Sequence, residues 1–212
     1  MRLMGDDISG SLPTYIHMME EAEAAISELL TGYPKASKMW NLLKDDPEVN
    51  ADWDMSNYIA VAKLGYNDHG EIHAKIVAAN ALKMLKLLLE HGIMPSVIKE
   101  RAGDEDDAHL IVLTASLLHD IGNQVHREGH PSYSVYLAIP LLNRLLPEVY
   151  EDEEVMYEIR GHILHCIVSH EEDTRDLTEE ASIVGIADGT DMTKGRGRIA
   201  FDKGLWNCFS LA

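Results

Sequence analysis

The sequence predicts an all-α protein, built as a single compact domain of antiparallel packed helices. Three observations predict it. Apolar residues recur with the helical period nearly throughout the chain. No stretch of alternating β-branched residues competes with that period. Helix start and stop chemistry recurs where the periodic segments end. At 212 residues the chain can enclose one sizeable core, and no internal repeat or low-complexity tract breaks it up.

The first three helices are expected from about Pro13 to Leu30, Lys35 to Leu43 and Ala51 to Leu64. The fourth runs from Asp68 to His91. Asp68 and Glu71 have the spacing of a capping box, and Gly92 stands where a left-handed residue would end the helix. The fifth, Glu105 to Ile121, is apolar on most faces and is therefore expected at the centre. Gly122 is expected to close it as a left-handed cap. Ser132, just after Pro131, is expected to cap a sixth helix that reaches Leu146. Pro140 lies inside that helix and should kink or divide it, because it lacks an N–H and clashes with the preceding turn. Two more helices are expected, from Glu151 to Ser169 and from Thr178 to Ala187.

Residues 1–65 are read as a helical extension packed on the core, residues 66–198 as the main domain, and residues 199–212 as a C-terminal segment. That segment ends on apolar residues without a stop signal. It either docks on the core or is cut before a further element.

The net charge of −18 excludes some partners, because its mean field repels nucleic acid and anionic membrane. An anionic substrate stays open, since a bound metal can invert the charge locally. Much of the acid has a local cause. The runs GDEDDAH and YEDEEVMYE open helices, where carboxylates favour the positive end of the dipole. The two cysteines, Cys166 and Cys208, form no disulfide framework and suit a reducing compartment. The N-terminus shows no apolar signal region. The run Leu110 to Leu118 is shorter than the about 20 residues that a membrane span needs. A cytoplasmic protein is expected.

The chemistry lies in the histidines, of which there are eleven. His119 and Asp120 are adjacent at the C-terminal end of the central apolar helix. Burying a lone carboxylate there costs several kcal/mol, or forces it to take up a proton; a cation beside it removes that cost. Taken alone, the pair could equally be a salt-bridged helix end. His73 lies over Val77, Asn80 and Met84 and should face the core, whereas His69, in the first turn, is expected at the rim. His170 ends the apolar helix GHILHCIVSH, which also carries His162, His165 and Cys166. Three ligands on one rigid helix rarely close a tetrahedron, so a private zinc site there is a weak reading. Asp188 sits over Val184, Gly185 and Ala181 at the end of another apolar segment, with Asp191 expected either behind it or at the surface. Lys194, Arg196 and Arg198 then form a basic run, which is either a solvated cationic loop or a clamp for phosphate. Trp40, Trp53, Tyr58 and Tyr66 could stack a base, although aromatics at helical spacing more often belong to the core.

Together these stretches resemble the HD superfamily of metal-dependent phosphohydrolases. HDIG ends an apolar helix, HGEIHA precedes it and IADGTDMTKGR follows it, and the resemblance covers roughly residues 68–198. It implies a helical HD-type domain in which His73, His119, Asp120 and Asp188 bind a metal ion. HPSYSVYLAIPLL and IVSHEED resemble further elements of branches that hold a second metal bridged by the HD aspartate. These map onto His130 and His170, with His126 and His165 as competitors for the two places. The chain departs from the HD-GYP members, because it has Ser169 in place of a paired histidine and lacks the GYP continuation. Hydrolysis of cyclic di-GMP is therefore not expected.

One or two divalent transition metals are implied (Mn, Fe, Co, Ni or Zn), with Mg also compatible. The expected function is hydrolysis of a phosphate ester of a nucleotide or another small phosphorylated metabolite, by a phosphomonoesterase or phosphodiesterase reaction. Asp120 would also orient the attacking water, and Lys194 and Arg196 would hold phosphate. The partner expected is this small substrate, with no nucleic acid and no membrane; a homodimer is left open. The alternatives are an HD-type di-iron oxygenase using the same ligands, and a helical sensor or binding module with no activity.

Overall fold

A computed structural model describes residues 12–191 apart from residue 172, with the side chains of residues 12–15 also outside the description. The basic run with Lys194 and Arg196 lies outside the described residues, as do Cys208 and the segment 199–212.

The longest uninterrupted apolar sequence becomes the axis of the fold. α6 (Glu105–Leu118) is buried at every position from Asp106 onward. Around it pack α2 (Pro34–Lys44), α4 (Glu71–Glu90), α8 (Glu153–Val168) and α9 (Glu179–Gly189). α1 (Leu12–Leu29) lies against α4, and α7 (His130–Leu145) lies against α8. α3 (Pro47–Asn57) continues into a π-helical turn, Tyr58–Lys63. A short α5 (Ser96–Lys99) had no periodic signal and is an addition to the expected elements. No strand occurs among the described residues, so the all-α expectation holds. No helix among them is long and apolar enough to cross a membrane. Trp40 and Trp53 belong to the core, and the Trp53 indole donates to the Leu117 carbonyl over 2.8 Å.

The acidic run that opens α6 does more than meet the dipole. Asp104 and Asp107 form a reciprocal capping box. Asp106 accepts from the backbone N–H groups of Lys35 and Ala36 and so ties the start of α2 to α6. At the other end of α4, Gly92 takes a left-handed φ of 74°. The Ile93 N–H then bonds the Leu88 carbonyl and the Gly92 N–H bonds that of Leu89, closing the helix as expected.

Four local expectations need correction. Asp68 and Glu71 do not form a capping box: Gly70 is the N-cap of α4, and Asp68 instead accepts from the Gly70 N–H at 2.8 Å within the preceding loop. Gly122 is not a left-handed cap. It lies in a 3₁₀ turn, Ile121–Gln124, where a Cβ would stand 2.1 Å from the His130 carbonyl oxygen and 2.4 Å from the Ser134 nitrogen. The glycine allows this turn and the start of α7 to touch. Ser132 is not a cap either, because α7 begins at His130. Of the two effects expected of Pro140, division of α7 does not occur. The proline ring and Tyr136, whose carbonyl loses its partner, both lie on the exposed side, where water can replace the bond.

Candidate metal centre

Five helix ends meet at one place. α4 and α7 bring their N-terminal ends, while α6, α8 and α9 bring their C-terminal ends. Three helix C-termini converging on one site favour a cation there. They deliver His119 and Asp120 after α6, His170 after α8, and Asp188 and Asp191 at and just after the end of α9. α4 supplies His73, and α7 supplies His130.

Asp120 is the centre of this cluster, and its two oxygens face different groups. Oδ2 lies 3.5 Å from His73 Nε2 and 3.4 Å from His119 Nε2. Asp188 Oδ1 completes this half, 3.1 Å from His73 Nε2 and 3.8 Å from His119 Nε2. Oδ1 lies 3.0 Å from His130 Nε2 and 3.9 Å from His170 Nε2. Glu171 Oε1 stands 3.6 Å from His130 Nε2 on this second half. The Asn123 amide donates to Oδ1 over 2.8 Å and fixes the plane of the carboxylate.

The imidazoles are held in one tautomer by their outer nitrogens. His119 Nδ1 lies 2.7 Å from the Ser116 carbonyl, His170 Nδ1 2.7 Å from that of Ile167, and His130 Nδ1 3.0 Å from that of Arg127. A carbonyl can only accept, so each Nδ1 carries a proton, and in the neutral imidazole Nε2 keeps its lone pair. His73 does the same with a carboxylate, donating Nδ1–H to Asp191 Oδ2 at 2.7 Å. As a result, His73 and His119 aim two lone pairs at each other across 3.2 Å, and His130 and His170 do so across 3.1 Å. Lone pairs that close repel unless a cation sits between them. Nitrogens bound to one transition-metal ion at 2.0–2.1 Å stand about 3.0–3.4 Å apart, so the donor set and its spacing fit a metal ion in each half.

The electrostatics agree with that donor chemistry. Burial opposes ionisation of Asp120, but in the ion-free protein protons on the surrounding imidazoles, His119 foremost, outweigh it and hold the carboxyl well below its ordinary range; a bound ion would take the place of those protons. Burial and the nearby His119 push the His170 imidazole down to about 3, so it is neutral at physiological pH and its Nε2 lone pair is free to bind an ion.

The structure thus brings His73, His119, Asp120, Asp188, His130 and His170 into one cluster. The two competitors fall outside it. His126 is exposed and accepts from the Glu128 N–H, and the half-buried His165 accepts from the Leu177 N–H. His162 is likewise not in the cluster, and Cys166 is a buried core residue. His69 corrects the sequence reading: it is buried, not at the rim, and its Nδ1 lies 2.8 Å from Asp120 Oδ2. Its i, i+4 spacing from His73 was the signal available. Asp191 is also buried, behind His73. Glu171 and Arg127 were not anticipated.

The HD domain family matches residues 70–193, a span that contains all six expected ligands. An uncharacterized protein of Methanocaldococcus jannaschii, MJ1020, is 45% identical over 183 residues, covering 86% of this chain and 70% of that protein. No solved structure gives a significant match. The family match spans more than half of the chain and falls on the cluster that the fold assembles, and on that basis the chain belongs to the HD-domain family.

Proposed function

We propose that this protein is a metal-dependent phosphohydrolase acting on a phosphate ester of a nucleotide or another small phosphorylated metabolite. One observation carries the reading: a buried carboxylate, Asp120, whose two oxygens each face a pair of imidazole nitrogens with their lone pairs turned inward. In this reading His73, His119, Asp120 and Asp188 hold one divalent ion, and Asp120, His130 and His170 hold a second. Two ions so placed would lower the pKa of water and stabilise charge on phosphoryl oxygens. The chain's own part is to fix the donors and orient the attacking water through Asp120. Lys194 and Arg196 are kept as phosphate-holding residues on their sequence pattern alone. The cysteine usage supports a cytoplasmic setting, and a small substrate is the partner that the acidic surface tolerates best.

The test is a screen for phosphate release over nucleotides and sugar phosphates, run with Mn, Co, Fe, Ni, Zn and Mg. Asp120→Ala should lose both bound metal and turnover, and full activity in that variant would defeat the assignment. Oxygen uptake by iron-loaded protein, without phosphate release under any metal, would replace the hydrolase with a di-iron oxygenase. No bound metal and no turnover would leave a binding module.

A further inference from the structure

Among the described residues, Arg127 is the lysine or arginine that reaches this cluster. It lies between the 3₁₀ turn and α7. Its Nη2 donates to Glu171 Oε1 over 2.6 Å, and its Nη1 lies 3.4 Å from Asn123 Oδ1 and 3.9 Å from Asp120 Oδ1. The guanidinium is therefore held on two sides, by groups that themselves belong to the centre.

Its position against His130 shows what it leaves free. Nη1 is almost equidistant from the two ring nitrogens, 3.2 Å from Nδ1 and 3.0 Å from Nε2. A donor on the lone-pair axis of Nε2 would be far from Nδ1. Arg127 thus stands beside the ring or over it, and the Nε2 lone pair stays turned toward His170 and Asp120. An ion in that half and the guanidinium do not compete for the same direction.

Solvent reaches the cluster at few of its members. His69, His73, His119, Asp120, His130, His170 and Asp191 are buried, whereas Arg127, Glu171 and Asp188 are half-buried. A ligand entering from solvent meets these three first. The carboxylates of Asp120, Asp188, Asp191 and Glu171 carry four negative charges, which two divalent ions would balance. The Arg127 charge is then the positive charge left over for an incoming anion. A guanidinium has five N–H donors in a planar fork, and the bonds to Glu171 and Asn123 leave others for phosphoryl oxygens.

We propose that Arg127 is a phosphate-binding residue of this centre, held in place by Glu171 and Asn123. This rests on the phosphohydrolase reading above. The test compares wild type, Arg127→Ala and Arg127→Lys, each loaded with manganese. Metal content is measured by mass spectrometry, and the binding of inorganic phosphate by calorimetry at fixed salt. The backbone carbonyl that anchors His130 survives both substitutions. Arg127→Ala should keep its metal and bind phosphate more weakly by about tenfold or more, as for loss of a charge-assisted hydrogen bond. Arg127→Lys, with charge but no fork, should fall between. If Arg127→Ala binds phosphate as tightly as wild type, or loses metal together with phosphate binding, the assignment is overturned and Arg127 only props up the site. Should the alanine variant fail to fold, the lysine variant decides: affinity equal to wild type overturns the role. Failure of the underlying reading looks different. There, metal-loaded wild type itself binds no phosphate and releases none from any ester.

Discussion

His73 donates its Nδ1–H to Asp191 Oδ2 across 2.7 Å, with both side chains almost fully buried. That bond turns Nε2 toward Asp188 and His119 and sets its basicity. Partners behind a ligating imidazole are worth about 10–100-fold in metal affinity. Asp191→Ala should therefore weaken metal binding by about that factor, measured by competition with a chromophoric chelator. Asp191→Asn, which can still accept from Nδ1–H, should lose less. Equal affinity in wild type and Asp191→Ala would show that the bond does not govern the site.

Gly122 lets the 3₁₀ turn touch the start of α7. A methyl group there would meet the His130 carbonyl oxygen at 2.1 Å and the Ser134 nitrogen at 2.4 Å, and both are backbone atoms that cannot step aside alone. Gly122→Ala should destabilise the fold by about 1–3 kcal/mol in urea unfolding, as overpacking does. It should also move His130 away from Asp120. In the proposed two-ion reading, metal content per folded molecule should then drop toward the one ion assigned to His73, His119, Asp120 and Asp188. An unchanged metal stoichiometry would show that the second half of the centre tolerates the shift.

Stability of the metal-free protein should fall with acid. The folded His170 imidazole stays neutral down to about 3, while in the unfolded chain it takes up a proton near its ordinary 6.5. Between these values the unfolded state binds the extra proton, so stability rises with pH across the window and is lost as pH falls. Asp120 adds to the loss at lower pH. Its carboxyl is held below 3.8 in the folded state, so its contribution disappears as pH falls through the folded value. After chelation, urea unfolding at neutral pH and at about pH 4.5 should show a large difference for wild type and a smaller one for His170→Gln. The same difference in both would remove His170 as the source.

Much of the fold was legible because α6 is apolar on all sides and the helices around it are amphipathic. The central cluster was legible through side chains at the inner ends of apolar segments: His119, Asp120, His170 and Asp188. What stayed hidden was non-local. His69 looked like a rim residue because a fourth helix was read from Asp68, while the chain there is a loop whose His69 N–H bonds the Asn57 side chain. Arg127 and Glu171 meet across 44 positions of sequence, and no spacing rule announces such a pair. Gly122 read as a left-handed helix cap, because sequence does not show which backbone passes close to it. α5 is too short to carry a period.

The carbonyls behind His119, His130 and His170 belong to Ser116, Arg127 and Ile167, and they are main-chain groups. No side-chain replacement at those positions can delete them. Of the four imidazoles proposed as ligands, three are thus aimed by parts of the molecule that mutation does not rewrite, while His73 is aimed by a side chain that it does. Drift in sequence should leave the geometry around His119, His130 and His170 nearly constant. In the metal-binding reading, Asp191 becomes the position through which selection could adjust an ion's affinity without touching a proposed ligand.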